Sequence, residues 1–455
     1  MRSQKKQAGL GVFGIAALGF FVLACLAGGK TLGEYLHIST VAVGLSLFCV
    51  ILDPSRPVSS GARKPVLGQR AAVAESGLAL GAKFRVLLLL AAFDGWTMWI
   101  LITASWAELP QGLHAQIMEI IAMMVLVSTA AILGLTYGPL MVDWWWMIWV
   151  GAAFLYALGG FLHGPGAAGR MSAFGGGPNV FARIMVVGLM GLAYFSLVRR
   201  KGWALVATPV LLLALVLSGS RGGFVSLVAA AAVLVLFYRS RIGSGRGLLI
   251  LLAALGAMGL LIGGAFGSVS EYFNQRFLNS VFVEGYTSGR DSLREQAIEG
   301  IKSKPLLGSG LGGFRDDYGY LTGLEHPHNL FLNTTAETGV VGLLFLLLLL
   351  WAALRGAAAS PRRDGPGFGG PGVACFATAF AILVSSQFSG YFLDSRWIWI
   401  FALVGLAVSV APSAGGASGG TADDAHRAAK QLGTACRVPK ARRPVPTITT
   451  TERAT

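Results

Sequence analysis

Two histidines flank a proline in "EHPHNLFLNTTAETGVVG", residues 325–342, where a polar stretch runs into a block of leucine. Three chemistries are open to His326 and His328. Metal binding wants a third and fourth ligand at recognisable spacing, and only Glu325, Asp316 and Asp317 stand near, without such a pattern. Structural hydrogen bonding is the ordinary role of an isolated interfacial histidine. General base catalysis suits the surroundings best, because a neutral imidazole with an unperturbed pKa of ~6.5 takes a proton from a hydroxyl at working pH. Asn329 follows His328 directly, and Asn333 shares a neighbouring helical face.

Arginines elsewhere point to an anionic substrate. In "SGSRGGF", residues 218–224, Arg221 precedes two glycines that let backbones approach closely. In "TSGRDSLREQAIEGIKSKP", residues 287–305, Arg290 and Arg294 lie one turn apart near the start of a helix, where the dipole also favours anions. A guanidinium grips phosphate through several fixed N–H donors. Either arginine alone would read as a solvated charge paired with Glu295 or Glu299. "GGGPNVFARIM", residues 175–185, contributes Asn179 and Arg183. An arginine at the middle of a membrane helix costs roughly 2.5–3.5 kcal/mol, and less if it snorkels outward. Asp94 is a candidate partner for Arg183, or belongs to a separate pair.

These residues must be held by membrane helices. The chain has 455 residues, 54% hydrophobic and 13% charged, with apolar residues in long blocks instead of one-face patterns. A span needs roughly 20 mostly apolar residues. The blocks predict about twelve: 10–27, 38–52, 86–106, 117–135, 144–162, 180–198, 203–217, 224–238, 248–266, 340–354, 373–393 and 397–410. Lys and Arg concentrate in the segments on the N-terminal side of this alternation, which places both termini in the cytoplasm. The net charge of +15 is then the topology signal plus attraction to anionic membrane lipids, with no nucleic-acid partner needed. "MRSQKK" and the apolar run after it read as a retained first helix, not a cleaved signal. Cys25, Cys49 and Cys375 fall in spans and Cys436 in the tail, so no disulfide framework is expected.

Residues 1–411 read as a single transmembrane domain, 412–455 as a disordered cytoplasmic tail and 53–83 as a flexible inner loop. The one long outer segment is 267–339. Within it Ser288 and Asp291 have capping-box spacing, Leu293, Ala297 and Ile301 recur every fourth position, and Pro305 follows, which predicts an amphipathic surface helix. "GSGLGGF", residues 308–314, reads as a tight turn: it follows Pro305 instead of a strand, so it is no dinucleotide fingerprint. Pro327 suits a first helical turn, which would put His328, Thr335, Gly339 and Gly342 on one face of the tenth span. "DWWWMIW", residues 143–149, reads as an interfacial aromatic belt.

Together, "SGSRGG", "GRDSLREQAIEGIKSKPLLGSGLGGF" and "HPHNLFLNTTAETGVVG" resemble the O-antigen ligase and Wzy-type polymerase superfamily. The ligase signature is His, then Asn, Ser or Gln, nine arbitrary residues, Gly, and a small residue three further on; His328, Asn329, Gly339 and Gly342 satisfy it. The resemblance implies an all-α, GT-C-like membrane protein with a periplasmic helical loop between spans nine and ten, in the bacterial inner membrane with its active site facing the periplasm. It implies a glycosyltransferase that moves a glycan from an undecaprenyl-diphosphate carrier to an acceptor sugar hydroxyl, inverting, metal-independent and without cofactor. An O-antigen ligase with lipid A core as acceptor is the leading reading, and a Wzy-type O-antigen or exopolysaccharide polymerase the alternative. On this reading His328, Arg290 and Arg221 are catalytic, and Arg183, Asn179, His326, Asn329 and Arg294 bind substrate. A transporter of lipid-linked glycan is the reading from another class, but no internal repeat supports it.

Overall fold

A computed structural model of the chain describes residues 10–27, 31–32, 36–54, 69–107, 113–166, 169–242, 271, 290–314, 326–358 and 372–409. The protein is an all-α polytopic membrane protein. Among the described residues its helices are α1 (Val12–Ala27), α2 (Ile38–Leu52), α3 (Gln69–Thr103), α4 (Leu113–Tyr137), α5 (Val142–His163), α6 (Gly177–Leu197), α7 (Trp203–Leu217), α8 (Arg221–Ile242), α9 (Arg290–Ser303), α10 (Leu330–Ala358), α11 (Gly372–Ser389) and α12 (Arg396–Val408). A two-residue antiparallel ladder, Thr31–Leu32 with Leu36–His37, joins α1 to α2. Among the described residues, five stretches are long and apolar enough to cross a bilayer, and four further apolar helices are shorter. Helices dominate because a spanning segment must satisfy its own backbone groups where water is absent. The predicted ninth span, 248–266, and the predicted tail, 412–455, lie outside the described residues.

Some expectations change. The stretch 53–83 is not loop throughout: α3 begins at Gln69, in an alanine-rich sequence of good helix formers. The aromatic run is not an interfacial belt. Trp145, Trp146 and Trp149 are fully buried and only Trp144 is exposed. They pack on Phe401 of α12 at centroid distances of 5.5–5.7 Å, and Trp149 meets Trp397 at 5.3 Å. None of the three indole nitrogens has a hydrogen-bond partner among the described residues. Leaving a buried donor unpaired costs about 1–3 kcal/mol; burial of so large an apolar ring and its edge-to-face contacts offsets that cost. The partner helix α12 is buried at every residue, which suits its apolar character on all sides.

The surface helix forms as its period predicts. Leu293 and Ala297 of α9 are fully buried and cluster with Ile301, Phe314, Leu332 and Ala336, which seats α9 on the first part of α10. The expected cap, Ser288, lies outside the described residues.

Helix α10 is two helices in sequence. Gly339 adopts φ 70°, ψ −174°, which breaks the helix between a polar half, 330–338, and an apolar half, 340–358. The freed backbone groups find partners in the loop after α9: Val340 N–H donates to the Pro305 carbonyl (2.9 Å), and Ser309 and Gly310 N–H donate to the Ala336 and Glu337 carbonyls (2.9 Å each). "GSGLGGF" is thus a turn laid against the break, with Gly308, Gly310 and Gly312 all at positive φ. Helix α10 also starts at Leu330 and not at Pro327. Asn329 is its N-cap, its Oδ1 accepting from Leu332 N–H at 3.0 Å. His328 precedes the cap at φ 55°. With positive φ at both His328 and Gly339, the one-face alignment expected of a continuous helix does not apply.

A Cβ at Gly339 would collide with the Leu306 carbonyl, in a conformation that L-residues avoid. Gly339→Ala is therefore expected to destabilise the fold by about 2–4 kcal/mol, from overpacking plus left-handed strain. Thermal melting in detergent measures this, and an unchanged melting temperature would mean that the break is not a fixed feature.

Candidate active site

The elements meet around "SSQFSGYFLD", residues 385–394, which runs from the end of α11 to the start of α12. Arg183, one turn and more into α6, is its anchor. The Arg183 side chain donates from Nε to Ser385 Oγ (3.2 Å) and from Nη2 to Ser389 Oγ (3.0 Å) and the Ser389 carbonyl, and its Nη1 lies 3.3 Å from Asp394 Oδ1. It is 3% exposed, so it does not snorkel. Its acid is Asp394; Asp94 Oδ1 has no hydrogen-bond partner among the described residues. A guanidinium is tolerable at this depth because each nitrogen finds an acceptor and the charge sits at the carbonyl end of α11.

The Arg221 turn leans on the same segment. Ser220 caps α8, its Oγ accepting from Gly223 N–H at 3.3 Å, and Arg221 is the first helical residue. The two glycines after it are needed for close approach: a Cβ on Gly222 would stand 2.9 Å from Phe388 Cβ, and one on Gly223 2.8 Å from Ala182 Cβ. Asn179 Oδ1 accepts from Ser220 Oγ (3.1 Å) and from Arg170 Nη2 (3.2 Å), while Arg170 Nε donates to the Ser218 carbonyl (3.1 Å). Asn179, a predicted substrate ligand, thereby ties the α8 cap to the loop before α6.

The histidines arrive from the other side. Gly390 N–H donates to the His328 carbonyl (3.3 Å), and Asn329 Nδ2 to the Gln387 carbonyl (3.4 Å). The His326 ring lies 4.5 Å from that of His328 at 73°, and 5.2 Å from that of Tyr391 at 32°. Both imidazoles are half-buried. Phe174, Arg200 and His328 are the non-glycine residues at positive φ among the described residues, and such strain gathers at functional sites. Arg290 is the first residue of α9, and its side chain lies outside the described residues; Arg294 is exposed one turn further on.

Sequence reasoning passed over four participants. Asp394 and Tyr391 stand in the short link between α11 and α12. Arg170 could have been noticed as a positive charge in a segment predicted to lie outside, where lysine and arginine are sparse. Glu337 is fully buried in the polar half of α10 and accepts Gly312 N–H through Oε2 at 3.1 Å, so it pins the glycine turn. Half-buried imidazoles and a guanidinium turn that touch one segment can take a proton and steady an anion.

Removing Arg183 leaves the Ser389 carbonyl and the two serines without their donor and takes the cation from a partly exposed Asp394, so Arg183→Ala is expected to cost about 1–3 kcal/mol. In double-mutant cycles read by thermal melting, Arg183→Ala couples with Asp394→Asn and adds independently with Asp94→Asn. Coupling to Asp94 instead would overturn the pairing.

No curated protein matches the chain. A family model described as O-antigen ligase, Wzy_C, matches residues 206–347, a stretch that holds Arg221, Arg290, Arg294, His326, His328 and Asn329 and stops short of 385–394. That match covers the residues that carry the quoted motifs, and over residues 206–347 the chain is similar to the O-antigen ligase family.

Proposed function

We propose that the protein is a membrane glycosyltransferase that moves a glycan from undecaprenyl diphosphate to a sugar hydroxyl, as an O-antigen ligase with lipid A core as acceptor. The observation that carries this reading is the meeting of the Arg221 turn and the His326–His328 pair on one segment, within and beside the matched region. The site faces the periplasm of the bacterial inner membrane. Arg221 and Arg290 neutralise the diphosphate as charge develops on the leaving oxygen, which stabilises the transition state more than the ground state. His328 accepts the proton of the acceptor hydroxyl. The acceptor oxygen bonds to the anomeric carbon from the face opposite the leaving group, the carbon–oxygen bond to phosphate breaks, and configuration inverts. Undecaprenyl diphosphate departs, and the proton on His328 passes to solvent.

The remaining site residues serve this step. Arg294 adds charge for the carrier headgroup beside Arg290, while His326 and Asn329 contact the sugars next to the base. Arg183 and Asn179 act at the rim of the binding site through the elements that they hold. The His328, Asn329, Gly339, Gly342 signature favours ligase over polymerase.

General base catalysis contributes about 10²–10⁴-fold. His328→Ala is accordingly expected to lower transfer in purified protein by that factor with melting unchanged, and Arg221→Lys to impair it because a point charge lacks the guanidinium fork. Full activity of His328→Ala refutes the base. Supplying lipid-linked repeats alone separates the two superfamily activities: lengthened chains without core acceptor mean a polymerase.

A further inference from the structure

Asn333 is the anomaly of the polar half-helix. It is fully buried, yet neither its Oδ1 nor its Nδ2 has a hydrogen-bond partner among the described residues. Three neighbouring side chains have partners. Thr334 and Thr335 donate to the Leu330 and Phe331 carbonyls at 2.7 and 2.8 Å, and Glu337 holds the Gly312 N–H. A leucine of similar volume would fill the same space without stranding an amide, so the amide needs another reason to be there.

Its position supplies one. Asn333 N–H bonds the Asn329 carbonyl at 2.8 Å, which sets its side chain one turn below the cap residue that follows His328. A carboxamide offers a donor and an acceptor side by side, the complement of a hydroxyl, which both gives and takes a hydrogen bond. A phosphate would ask for donors only. We propose that Asn333 is a specificity residue that reads a sugar hydroxyl of the glycan beside the one His328 activates. This rests on the glycosyltransferase reading and names a binding contact within it. Access is through the two hydrogen bonds that His328 and Asn329 make with 385–394, which at 3.3 and 3.4 Å are long for N–H···O. A parting of these two contacts, with the start of α10 moving against 385–394, is the opening that the proposal requires.

The test compares wild type, Asn333→Leu and Asn333→Ala as full-length protein in detergent. Asn333→Leu is expected to melt at or above the wild-type temperature while kcat/KM falls about tenfold or more. The fall resides in the KM of whichever substrate carries the hydroxyl, so separate titrations of donor and acceptor identify it. Independently, wild type should discriminate against the matching deoxy-sugar substrate by about tenfold, and Asn333→Ala should not. Unchanged kinetics in both variants, or deoxy discrimination that survives in Asn333→Ala, overturns the assignment. If the Leu variant melts lower, the alanine discrimination test alone decides. A wild-type protein that transfers no glycan overturns the underlying function and this contact with it.

Discussion

One buried guanidinium holds the site end of the bundle together. Arg183 reaches from α6 to two serines, a helix-terminal carbonyl and Asp394, and so fixes where α11 ends and how the chain turns into α12. That turn touches the elements that carry Arg221 and the histidines. The Arg221 hairpin rests on Phe388, Asn329 reaches Gln387, Gly390 bonds the His328 backbone, and Tyr391 faces His326. A charge buried this deeply is expensive alone and tolerable only when fully engaged, so the arrangement is all-or-none: losing one partner leaves the others stranded.

A second constraint sets the histidines. The break at Gly339 separates a polar half-helix from the apolar span below it, and the glycine turn of 308–312 replaces the lost helical bonds with its own. Irregular backbone at membrane depth survives only where protein covers it. Here α9 supplies the cover, because Leu293 and Ala297 seat it on Leu332 and Ala336. The helix that begins with Arg290 and the helix that follows His328 are therefore one packed unit, and the phosphate-gripping and proton-accepting chemistries of the proposed reaction ride on a shared support.

Much of this is readable in the residues themselves. Long apolar blocks mark the spans, the four-residue period of 293, 297 and 301 marks α9, and the glycines of 308–314 mark a turn. What is not readable depends on contacts far apart in sequence. The segment 385–394 looks like a bland serine-rich helix end, since nothing local reveals that its acceptors face an arginine about two hundred positions earlier. Asp94 drew the pairing with Arg183 because it stands within a span, and Asp394 is recognisable as the partner only once helices are packed. The tryptophans of 143–149 misled because indole's preference for interfaces is an average, overridden where α12 offers an apolar surface to pack on. Pro327 drew the start of α10 three residues too early, although Asn329 carries the stronger capping preference.

The most direct measurement is a cryo-electron-microscopy map of the protein with a polyprenyl-diphosphate-linked glycan bound. The account predicts diphosphate density against the Arg221 guanidinium, the first sugar beside His328, and residues 385–394 between the Arg221 turn and the half-helix. Diphosphate bound at the other end of the bundle, or Arg221 and His328 opening into separate cavities, would contradict it.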